Sequence, residues 1–175
     1  FVKMPPAGID GEAKRCSQIL ACGISSHQLP TARDASDHFD QRFPGGKALR
    51  VSIFLSVFDV HVNRAPVTGR VASVRYHKGA FHVASVDKAS LMNEQNGVTI
   101  VTPEGRTVTY VQIAGIVARR IVCDLKEGDA VLQGQRVGLI RFGSRVDVYL
   151  PDEVRLSVVP GDRVRAGESV IGVFP

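Results

Sequence analysis

"GLIRFGSRVDVYLP", residues 138–151, holds two apolar alternations, Leu139–Ile140–Phe142 and Val146–Val148–Leu150, with Gly143-Ser144 between them. Alternation of period two sends one set of side chains to one face of a sheet, so each half reads as a strand. A glycine inside such a pattern gives up packing and marks a bulge, a bend or a close backbone approach. Two readings of the break follow. One is a kink, and the other is a serine whose upstream carbonyl must be exposed for chemistry.

The same texture extends outward. From Leu49 onward, "LRVSIFLS", "GRVASVRYH", "GVTIVTP", "RTVTYVQIAGIVARRIVC" and "SVIGVF" are short β-type runs divided by Gly, Pro, Asn and Asp. Six or more such runs predict a mainly β fold, an antiparallel sandwich or barrel. An internal echo supports this. "KEGDAVLQGQRVGLI" (126–140) and "VPGDRVRAGESVIGV" (159–173) share G-D-x-V-x-x-G-x-x-V. Each copy predicts a turn at Gly-Asp, an inward valine, and a second turn at Gly134 or Gly167. The pattern resembles the β-hammerhead turns of biotinyl and lipoyl carrier domains, a likeness of fold without functional content. Residues 1–46 are irregular, with "EAKRCSQILACG" (12–23) predicted as a short helix ending at Gly23.

A chain of 175 residues with 22% charged and 44% hydrophobic residues is expected to form one domain with its own core. The net charge of +5 suits an anionic partner: nucleic acid, a phosphorylated ligand or an acidic membrane surface. Lys and Arg outnumber acids in the middle of the chain, but aromatic residues are only 6%, too few to interleave as base-stacking platforms, which argues against nucleic acid. Cys16, Cys22 and Cys123 form no CxxC and no Cys/His cluster at metal-ligand spacing, so no metal is expected and reduced thiols point to a cytoplasmic compartment or its membrane face. No apolar run reaches membrane-spanning length. A chain that begins at Phe1 is expected to have had an upstream segment trimmed.

Three stretches carry candidate chemistry. In "FLSVFDVHVNRAPVTGRV" (54–71), an extended backbone places Asp59, His61 and Asn63 on one face. The alternatives are a solvated strand face or an imidazole set to activate a hydroxyl elsewhere, with Ser144 as that hydroxyl. "DKASLMNEQNG" (87–97) reads as a turn or one-turn helix in an exposed loop, or as a wall of a site. In "IAGIVARRIVC" (113–123), Arg119 and Arg120 either grip a phosphate by bidentate hydrogen bonds or decorate the surface. P-loop, GxGxxG, HExxH and GxSxG motifs are absent.

Taken in order, "SIFLSVFDVHVNRAPVTGRV", "KASLMNEQN", "QIAGIVARRIVC" and "GLIRFGSRVDVYLP" resemble the short bacterial and archaeal type of the phosphatidylserine decarboxylase proenzyme family, over about residues 47–175. The resemblance implies self-cleavage between Gly143 and Ser144 into a β chain (1–143) and an α chain (144–175) capped by a pyruvoyl group made from Ser144. It implies decarboxylation of phosphatidylserine to phosphatidylethanolamine through a Schiff base, with His61 as base in maturation and proton handler in catalysis. Asn63, Arg119 and Arg120 are the candidate substrate-binding set, a homodimer is expected, and the basic middle of the chain suits a peripheral place on the cytoplasmic face of the cell membrane. The family's Asp-His-Ser triad calls for an acid. Asp10 in "PPAGIDG" is the candidate despite imperfect spacing, and Asp59 is less apt. Decarboxylation of archaetidylserine or a soluble amino acid stays open within the same chemistry, as does a β domain that binds anionic lipid without maturing.

Overall fold

The computed structural model describes residues 18–21, 48–56, 58–82, 92–116, 120–141 and 143–175. Their regular elements are twelve strands: β1 (Gln18–Leu20), β2 (Ala48–Leu55), β3 (Val62–Arg64), β4 (Gly69–His77), β5 (Gln95–Val101), β6 (Thr107–Ile113), β7 (Ile121–Cys123), β8 (Ala130–Val131), β9 (Arg136–Ile140), β10 (Ser144–Pro151), β11 (Arg155–Leu156) and β12 (Val170–Val173). They form a six-stranded sheet in the order β2-β10-β6-β5-β4-β8 and two three-stranded sheets, β1-β12-β11 and β3-β9-β7. Every strand pairing is antiparallel. The large sheet ends in two edges rather than closing, so of the two expected architectures the sandwich forms and the barrel does not.

One apolar cluster draws on all three sheets: Ile53, Ile100 and Val148 from the large one, Val137 and Ile140 from β9, and Ile19 and Ile171 from β1 and β12. Each such side chain contributes roughly 1.5–3 kcal/mol when fully buried. β10 lies between β2 and β6 with both faces covered. Val146, Val148 and Leu150 point to this core, as their alternation predicts. Arg145, Asp147 and Tyr149 point to the other face, where Tyr149 packs with Ala48, Val111 and Ile113.

The echoed segments fold alike. Gly128, Gly134, Gly161 and Gly167 all take positive φ, at 91°, 77°, 102° and 75°. Asp129 Oδ2 accepts from Lys126 N and Asp162 Oδ2 from Val159 N, both at 2.8 Å. The paired turns meet around Arg64, whose Nη1 donates to the Gly134 carbonyl at 2.7 Å and whose Cδ fills the space a side chain at Gly167 would need.

Two expectations need correction. Gln18–Leu20, read as part of a helix over 12–23, is strand β1, because its backbone pairs with β12 and buries Ile19 completely. The rest of that helix lies outside the described residues. For 87–97, of the two alternatives the exposed loop fails over its C-terminal part: Asn93, Gln95 and Asn96 are buried, Asn93 closes on His82 and Ala114, and Gln95–Gly97 opens β5, while Met92 stays exposed. Polar residues belong in that strand because neighbouring strands supply their partners.

Candidate active site

The site is assembled from residues distant in sequence by two short elements. Ser56–Asp59 is a turn in which Asp59 N donates to Ser56 O at 2.9 Å and Ser56 N donates to Asp59 Oδ2 at 2.7 Å. Self-capping of this kind is what aspartate does well in turns. It takes Asp59 off the strand face it was expected to share with His61 and Asn63, since the regular strand starts only at Val62. The chain then enters β3 and pairs with β9, where Ile140 N donates to His61 O at 3.2 Å. That ladder sets His61 beside the connection from β9 to β10.

Both ring nitrogens of His61 meet backbone. Nδ1 lies 2.7 Å from the Asp59 carbonyl, and Gly143 N–H donates to Nε2 at 3.0 Å. A carbonyl only accepts, so Nδ1 carries the proton and Nε2 presents its lone pair, as a neutral imidazole requires. Asp59 therefore stands behind His61 by its main chain, a role with no residue-type signature. Asp10 lies outside the described residues.

Gly143 has φ 64°, the left-handed region where a Cβ is penalised. The next residue, Ser144, begins β10 opposite Leu55, and its side chain is 1% exposed. Its Oγ has no hydrogen-bond partner among the described residues. A buried hydroxyl without a partner is uncommon, because desolvation is then uncompensated. The break in the opening stretch is thus a backbone turn whose N–H rests on an imidazole, followed by a buried hydroxyl with no partner among the described residues.

On the reverse face of the same strand, Arg145 Nη2 donates to Asp147 Oδ2 at 3.0 Å, and Nε stands 2.9 Å from Oδ1. Burial, and next the Asp147 carboxylate, hold the Tyr149 phenol far above its ordinary range. These groups fix β10 from behind.

The remaining expected residues divide. Asn63 is fully buried and accepts from Gln112 Nε2 at 2.8 Å, so it faces the interior. Arg120 is exposed, and its carbonyl accepts from Arg141 N at 3.3 Å, putting two exposed arginines at this end. Arg119 lies outside the described residues. Sequence reading missed Gln112 on β6, which reaches Asn63, and Asn96 on β5, which reaches Gln112. Their one signal was polarity at inward positions of apolar strands.

Comparison with known proteins agrees with this geometry. Residues 12–172 match the family model described as phosphatidylserine decarboxylase. The chain is 51% identical over 132 residues to a phosphatidylserine decarboxylase proenzyme of Desulfotalea psychrophila, covering 75% of this chain and 62% of that protein. It is 52% identical over 126 residues to one of Rickettsia africae (72% and 54%) and 49% identical over 125 residues to one of Syntrophus aciditrophicus (71% and 59%). The chain spans between 54% and 62% of the length of these relatives. With a family match over most of its length and the serine, glycine and histidine brought together at one strand junction, the chain belongs to the phosphatidylserine decarboxylase family.

Proposed function

We propose that this chain is the precursor of a decarboxylase that converts phosphatidylserine to phosphatidylethanolamine, and that it makes its own pyruvoyl group by cleavage between Gly143 and Ser144. The observation that carries this reading is the buried, unpartnered Ser144 Oγ following a left-handed glycine whose N–H rests on His61.

Maturation follows from that arrangement. The Gly143 N–H leaves His61 Nε2, whose freed lone pair takes the Ser144 hydroxyl proton as Oγ bonds to the Gly143 carbonyl carbon. The C–N bond then breaks with return of the proton to nitrogen, leaving an ester. Loss of the Ser144 α-proton and cleavage of Cβ–Oγ release the chain ending at Gly143 as a carboxylate and leave dehydroalanine. Water replaces its nitrogen, which departs as ammonia. Gly143 favours the first step because it has no Cβ to obstruct attack and holds a conformation other residues resist.

The residues present fit the group so formed. It would head β10 in a buried position, clasped by β2 and β6 and braced by the Arg145–Asp147 pair. When formed, it supplies a ketone that condenses with an amine and withdraws the electron pair freed by loss of carbon dioxide. His61 stays within reach to move protons, held in one tautomer by the Asp59 carbonyl.

The same end of the molecule suits a lipid substrate. Phe58 is 95% and Val60 58% exposed, on the turn leading to His61, and Arg120 and Arg141 are exposed beside them. Apolar side chains next to cations fit the interface of an anionic leaflet, which supports peripheral attachment on the cytoplasmic face. The relatives' names favour phosphatidylserine over archaetidylserine or a soluble amino acid.

Mass spectrometry of the purified protein tests the reading. The expected species are residues 1–143 and a fragment of residues 144–175 lighter by one ammonia than its serine-initiated form. Ser144→Ala should leave the chain intact with the fold retained. An α chain from that variant, or an uncut wild-type chain, would sink the proposal.

A further inference from the structure

A row of carboxamides crosses the interior from the six-stranded sheet to β3. Asn96 Nδ2 donates to Gln112 Oε1 at 3.0 Å, and Gln112 Nε2 donates to Asn63 Oδ1 at 2.8 Å and to the Val122 carbonyl at 3.3 Å. The direction of the row is fixed chemically. Val122 O only accepts, so the Gln112 atom facing it is the NH2. The Asn63 atom facing that NH2 must then be its oxygen, and the free end of the row is the Asn63 NH2.

That Nδ2 is buried and has no partner among the described residues. The other such orphan at this end is the Ser144 hydroxyl. Their positions are linked through the ladder. Gln112 pairs with Val146 on β10, and Ser144 lies two residues along on the same face. His61, two residues before Asn63, reaches the Gly143 N–H. A donor aimed at no ground-state acceptor, held in place by two other side chains, has the character of a group kept for charge that develops later.

We propose that Asn63 Nδ2 is the hydrogen-bond donor for the Gly143 carbonyl oxygen when Ser144 Oγ adds to it and the carbonyl π pair moves onto that oxygen. Asn63 is then a catalytic residue of maturation, and Gln112 and Asn96 are positioning residues that keep its NH2 pointing away from Gln112. This rests on the self-cleavage reading above.

The test follows cleavage of the precursor over time by mass spectrometry, with and without hydroxylamine, which captures the ester and frees the chain ending at Gly143. Asn63→Ala and Asn63→Asp are expected to slow cleavage about a hundredfold or more, the usual cost of losing one oxyanion donor. Hydroxylamine should not restore the rate, because the ester itself forms slowly. Gln112→Glu, which cannot donate to Asn63 Oδ1, should slow cleavage by a smaller factor with an unchanged circular dichroism spectrum, and it carries the test if the Asn63 variants misfold. Wild-type cleavage with equally fast Asn63 and Gln112 variants would overturn this inference and leave self-cleavage standing. Release of the Asn63 variants by hydroxylamine at the wild-type rate would also overturn it, by placing the defect after the ester. A wild-type chain that never cleaves removes the reading on which both rest.

Discussion

Asp59 divides its work between side chain and main chain. The carboxylate closes the turn on Ser56 N, and the carbonyl holds His61 Nδ1. An acid that acted on the imidazole by charge would lose that effect on becoming an amide, whereas an asparagine keeps the oxygen that caps the turn. Asp59→Asn should therefore mature at close to the wild-type rate. Asp59→Ala should lose about 1 kcal/mol of stability, as for one hydrogen bond, and cleave more slowly because the carbonyl is less well placed. Urea midpoints and the cleavage time course check both. A severe maturation defect in Asp59→Asn with its midpoint retained would restore a charge role. The sequence made Ser144 and His61 visible because a glycine-serine break in a β alternation and a histidine in a dense polar motif are unusual by type. The carbonyl behind His61 was invisible, since every residue carries one.

Among the elements, β9 is the most exacting. A Cβ at Gly138 would come within 2.1 Å of the Val122 carbonyl on β7, and the same residue pairs with Asn63 on β3. The small sheet that carries Asn63 and abuts His61 thus closes around a position with no room for a side chain. Gly138→Ala should cost roughly 1–3 kcal/mol by overpacking and should slow maturation through displacement of β3. A thermal melt and the cleavage assay together measure this, and an unaltered melting temperature would show that β7 yields freely. Strand texture and the echoed turns were legible because period two and turn glycines are local signals. β1 was not, because three residues in a helix-like setting become a strand only through β12, more than 140 positions away. The carboxamide row escaped notice for a similar reason, as Asn63 and Gln112 are 49 residues apart.

At the scale of the whole molecule, the exposed side chains of Phe58, Val60, Arg120 and Arg141 lie at the end where Ser144 is buried. Sedimentation with vesicles checks whether that end meets the bilayer. Binding to phosphatidylcholine vesicles containing phosphatidylserine should exceed binding to phosphatidylcholine alone and fall with salt. Arg120→Glu and Arg141→Glu should each weaken it by about fivefold or more, at roughly 1 kcal/mol per cation. Phe58→Ser should weaken it without changing the salt dependence, and variants that bind as the wild type does would assign attachment elsewhere. The position of β10 between β2 and β6 has a further consequence. Under the proposed cleavage, the link from β9 delivers β10 to its place as part of one polymer before the cut, and afterwards the strand would stay gripped on both sides without that tether. A cut copy that unfolded would become two diffusing pieces, and its reassembly would depend on dilution where its first folding did not. Such a cut would make maturation a passage in one direction, through a fold reached most easily by the uncut chain.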